Sequence, residues 1–86
     1  MDDDRDESGR PRRQFSLPPR DDPAFDPAAA RALLEAAREG ATGDAEQATG
    51  YYWGEPRLRP FVEQIRDQAA RDGDERLEQL AARYLK

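Results

Sequence analysis

The stretch PFVEQIRDQAARDGDERLEQLAARYL, residues 60–85, decides the fold. Phe61, Val62, Ile65 and Ala69 recur at helical spacing down to Asp72, and Leu77, Leu80, Ala81, Tyr84 and Leu85 form a second stripe of the same kind. Between them Gly73 suits the left-handed position that ends a helix, and Asp74 suits the cap that starts one. Two amphipathic helices, about 58–72 and 75–85, joined by so short a turn should pack as an antiparallel αα-hairpin. Pro60 is tolerated in the first turn, where its missing N–H costs nothing. Pairs such as Asp67 with Arg71 should add a few tenths of a kcal/mol on the exposed side.

Working back along the chain, Phe25-Asp26-Pro27 reads as another helix start. Asp26 is read as the N-cap, Pro27 as the first helical residue, and Phe25 as half of a hydrophobic staple onto Ala30. The helix should run over about 27–39. It carries Ala30, Leu33, Leu34 and Ala37 on a narrow apolar face, Arg31, Glu35 and Arg38 opposite, and a stop at Gly40. A 13-residue helix is marginal alone, so it needs a partner. Asp44 and Gln47 have the spacing of a capping box for a short helix over about 44–52, which Gly50 weakens.

Residues 1–24 lack a helical or alternating period and hold Pro11, Pro18, Pro19 and Pro23, which reads as a disordered tail. Its charge comes in blocks: acids over residues 2–7, then Arg10, Arg12, Arg13 and Arg20, then Asp21 and Asp22. Arg12, Arg13, Phe15 and Leu17 are the candidate tail motif. Clustered arginine, an apolar pair and a diproline suit a segment that docks into a groove, or one that latches onto the chain's own acidic helices.

The expectation is therefore an all-α protein, a small three- or four-helix domain over 25–86 preceded by that tail. Its core is thin: Leu, Phe, Ile and Val supply 12 of 86 residues, below the roughly 20% under which disorder becomes a serious possibility. Trp53, the tyrosines and many alanines must complete it, or a partner must. A net charge of −5 is too modest to keep such a chain unfolded wherever its apolar residues concentrate.

Composition also limits chemistry. With no His and no Cys, the chain cannot build a Ser-His-Asp or Cys-His centre, a histidine-ligated zinc site or a disulfide. The acidic run at residues 2–7 lacks the glycine and spaced glutamate of a calcium loop, and Asp72-Gly73-Asp74-Glu75 puts Leu77 where that glycine belongs. No catalytic residue, cofactor or metal is assigned, and a non-enzymatic role is expected. An acidic start and no long apolar run suggest a cytoplasmic protein without a membrane span. Thirteen arginines against one lysine, with many alanines, suggest a GC-rich bacterial genome.

The turn Tyr51-Tyr52-Trp53, followed by Arg57 and Arg59, is the candidate binding site, because Trp, Tyr and Arg dominate binding hot spots. A poor core should claim Trp53 and at least one tyrosine, and an aromatic left outside would be a contact. The leading reading is a protein-binding adaptor, regulator or accessory subunit, acting on another protein or by self-association as a homodimer. The competing reading is nucleic-acid binding through the Arg-bearing tail and the turn over residues 51–59, with bases stacked on the aromatics and arginines on phosphates. A pI near 4.7 and a charge of −4 over residues 26–55 oppose it.

Overall fold

A computed structural model describes residues 15–86, which form four α-helices and no strand. These are α1 (Phe25–Arg38), α2 (Thr42–Thr49), α3 (Arg59–Asp72) and α4 (Glu75–Tyr84), with a single 3₁₀ turn, Pro56–Leu58, leading into α3. The all-α expectation holds. None of these helices is long and apolar enough to cross a membrane.

The hairpin forms as its local chemistry dictates. At Gly73 (φ 76°) the Asp74 N–H reaches back to Ala69 O at 2.9 Å and the Gly73 N–H to Ala70 O at 3.3 Å, closing α3 in a Schellman turn. The Asp74 carboxylate then accepts the Leu77 N–H at 3.1 Å and caps α4. Gly40 (φ 71°) ends α1 with the same pair of bonds, Ala41 N–H to Ala36 O and Gly40 N–H to Ala37 O. Arg38, in the last turn of α1, reaches Asp74 at 3.0 Å and ties α1 to the hairpin turn. Asp67 pairs with the adjacent Arg66 at 3.5 Å rather than with Arg71, which donates to Gln68.

Three boundaries differ from the sequence reading by two residues or more, and three others by one. Helix α1 begins at Phe25, not Pro27, because Asp22 takes the capping role one turn earlier. Asp22 Oδ1 accepts the Ala24 N–H at 2.8 Å and its carbonyl accepts the Phe25 N–H at 2.9 Å. Asp26 is thus a residue inside the first turn, and Phe25 is the first helical residue rather than one preceding the cap, buried with Ala30 in the core and set against the Tyr51 ring. Helix α2 starts at Thr42, with Ala41 supplying the first carbonyl, so the Asp44–Gln47 box does not form. That helix stops at Thr49, because Gly50 turns left-handed at φ 80°, and residues 51 and 52 are therefore outside it.

Helix α1 is the centre of the packing, touching α2, the 3₁₀ turn, α3 and α4. Its buried residues are Phe25, Ala29, Ala30, Ala32, Leu33, Leu34 and Ala36, a wider arc than the narrow face expected. Alanines make this affordable: without a long side chain, neighbours approach α1 from several directions. The core combines Leu33, Leu34, Leu58 and Val62 with seven buried alanines, Phe25, Ile65, Leu77, Leu80 and Tyr84. The thin supply of large apolar residues is thus met by close helix contact and a buried phenol.

The tail also differs from expectation over its described part. Phe15 and Leu17 are half-buried against the core cluster, on a groove that includes Ala28 and Ala32 of α1, while Ser16 between them faces solvent. Residues 15–24 are therefore a strap on the domain, not a free tail, because an extended i, i+2 pair can cover the alanine side of α1. Arg12 and Arg13 lie outside the described residues.

Candidate functional site

The turn from Gly50 to Glu55 joins α2 to the 3₁₀ turn, and its residues have sharply different fates. Tyr51 is half-buried. Its N–H donates to Thr49 Oγ1 at 3.1 Å and its hydroxyl to Asp26 Oδ1 at 2.7 Å, while its ring lies 6.2 Å from that of Phe25. The bond to the Asp26 carboxylate, which stabilises the protonated phenol, is the main reason the Tyr51 pKa is raised. Thr49, wholly buried, satisfies its own hydroxyl on Ala45 O at 2.8 Å.

Trp53 is anchored from the other side. Its backbone N–H donates to Glu46 Oε2 at 2.9 Å, and its ring meets Tyr84 edge-on at 5.0 Å between centroids. Tyr84 is 2% exposed, and its hydroxyl donates to Glu55 O at 3.0 Å. Burial, reinforced by the charge of Glu55, pushes the Tyr84 phenol up to about 12. The Glu55 N–H donates back to Tyr52 O at 3.1 Å, closing the turn.

Tyr52 sits between these anchors and is itself outside, with 77% of its surface exposed, the only large apolar side chain so exposed among the described residues. Its carbonyl and both neighbours are fixed, so the ring is presented on a rigid backbone. This division was partly legible: a poor core claims Trp53 and one tyrosine. Which tyrosine it claims is decided by Asp26, which lies 25 residues earlier in sequence.

The two arginines of the candidate cluster are engaged within the fold. Arg57 Nε pairs with Asp26 Oδ2 at 3.2 Å, leaving the guanidinium largely exposed. Arg59 Nη2 donates to Leu85 O at 2.9 Å, at the carboxyl end of α4, where the helix dipole favours a cation. Neither lines the depression that Tyr52 bounds. Sequence reasoning missed Asp26, read as a cap, and Glu46, whose contact with Trp53 has no local signature.

A cleft of about 430 Å³ lies beside Tyr51, bounded by the strap residues Arg20, Asp21 and Asp22 and by Phe25, Asp26 and Arg57. In it Arg20 stands over the Phe25 ring, 5.4 Å from its centre. Among the described residues no group of three or more carboxylates is placed to hold a metal ion.

Fold and site together define a small all-α protein that displays one aromatic side chain on an anchored turn. No protein-family model, curated protein or solved structure matches the chain.

Proposed function

We propose that this is a small non-enzymatic protein-binding adaptor or accessory subunit, and that Tyr52 is the centre of its contact surface. The observation that carries this reading is the exposure of Tyr52 between two anchored aromatics. A large exposed ring costs free energy in water and regains it on burial against a partner. Because the turn is already rigid, little backbone entropy is lost on binding, and tyrosine has only two side-chain torsions to fix.

The test is a photo-crosslinking amino acid placed at position 52 of the full chain in its own cells, with Gln79 on the exposed side of α4 as the control position. The reading expects a discrete covalent adduct to one protein species from position 52 and none from position 79. Absence of an adduct, or identical adducts from both positions, would sink it.

A further inference from the structure

Beside Tyr52 the surface is hollowed into a depression of about 560 Å³, bounded by Gly43, Glu46, Gln47, Gly50 and Tyr52. Its composition restricts what it can take. One aromatic wall, two glycines and a carboxylate make a poor seat for an apolar segment, which needs apolar walls on several sides. Glu46 is the one charged side chain among the residues that line it, so an acidic peptide or a phosphate seated there would meet like charge.

The molecule already places one guanidinium against Gly50, on the side of the neighbouring cleft rather than among the residues that line the depression. The Arg20 guanidinium lies across Gly50, its two terminal nitrogens 2.5 and 2.9 Å from where a Cβ on that glycine would stand, and it faces the Phe25 ring. An arginine on a glycine floor against an aromatic ring is thus a contact this surface makes within its own chain. The Tyr52 side repeats the parts: Gly43 opens onto empty space, Tyr52 offers its ring, and Glu46 adds a carboxylate. Glu46 is held in place through Oε2 by the Trp53 N–H, which leaves Oε1 to accept a further donor.

We propose that this depression docks an arginine-bearing segment of a partner protein, with one guanidinium stacked on Tyr52 and paired with Glu46. The inference rests on the protein-binding reading above and names the partner's chemistry. Arginine fits better than lysine because its planar group stacks on a ring and donates to a carboxylate at the same time.

The test titrates the full chain with fluorescent 12-residue peptides of Arg-Gly-Ser composition, and with peptides of equal length in which Lys, Glu or Leu replaces Arg. The arginine peptide should bind most tightly, and Y52A should weaken it roughly tenfold while Y52F retains it. E46Q keeps an oxygen for the Trp53 N–H but loses the charge, and should weaken binding several-fold. Equal affinity for Y52A and the unaltered chain, or no binding of the arginine peptide, overturns the proposal. Tyr52-dependent binding of the Leu or Glu peptide in preference to Arg also overturns it. If the cross-link at position 52 forms in cells while the arginine peptide fails to bind, the arginine assignment falls and the protein-binding reading stands. If both fail, both fall.

Discussion

The Tyr84 hydroxyl donates a 3.0 Å hydrogen bond to the Glu55 carbonyl, so the last turn of α4 holds the end of the turn that displays Tyr52. The consequence is measurable in alkali. Burial raises the phenol to about 12 in the folded chain, against roughly 10 when unfolded. The folded state therefore keeps its proton longer. The stabilisation is complete below pH of about 10 and is lost as pH rises towards about 12, amounting to ~2 to 3 kcal/mol over that window. Denaturant unfolding at a series of alkaline pH values should show this slope. Y84F should flatten it, leaving the smaller contribution of Tyr51, whose pKa is also raised. An unchanged slope in Y84F would refute the assignment.

At the acid end the sensitive group is Asp74. The Leu77 N–H, and then the Arg38 guanidinium, favour its carboxylate and hold its pKa below the usual range. Its contribution is present above the unfolded pKa of roughly 3.9 and is lost as pH falls through the lower folded value. D74A should lower the urea midpoint at neutral pH, because the Leu77 N–H loses its cap. D74S restores a cap oxygen without the charge, and should recover most of that loss while abolishing the acid dependence. Urea midpoints at neutral pH and near pH 3 separate these outcomes.

Adjacent aromatics of the displayed turn should respond oppositely. Y52A removes a side chain that is 77% exposed and should leave stability within ~0.5 kcal/mol. W53A removes the ring packed edge-on against Tyr84 and should cost ~2 to 3 kcal/mol. D26A should destabilise as well, because it strips partners from both Tyr51 and Arg57. Thermal unfolding of the three variants checks the ranking, and Y52A destabilised as much as W53A would show that Tyr52 is structural.

How far the sequence could be read follows from how local each interaction is. Gly73-Asp74 and Gly40 act within one turn of their own helices, and their roles are legible from neighbours alone. Asp26 has the same local signature as a cap, yet Asp22 displaces it from that role and Tyr51 and Arg57 recruit it from 25 and 31 residues away. Tyr51 and Tyr52 are identical in type and adjacent, so no periodicity separates the one that packs from the one that does not. Phe15 and Leu17 show no period because the strap holding them has only two apolar contacts to offer.

That strap supplies the last prediction. Phe15 and Leu17 are half-buried over the alanine side of α1, where Ala28 and Ala32 leave room for them. Half-burying a large apolar side chain contributes ~1 kcal/mol, so the double variant F15A/L17A should lose ~2 kcal/mol. At roughly 4–8 °C per kcal/mol for a domain this small, the melting temperature should fall by ~8 to 16 °C. Shortening the chain to begin at Pro23 tests a different sum, since it also removes Arg20 from the Phe25 ring and Asp22 from the start of α1. It should therefore melt lower than F15A/L17A. Hydrogen exchange at the α1 amides distinguishes the two, with faster exchange around Phe25 only in the shortened chain, where the cap is gone. A melting temperature within a degree or two of the full chain in F15A/L17A would show that the strap adds nothing to the fold.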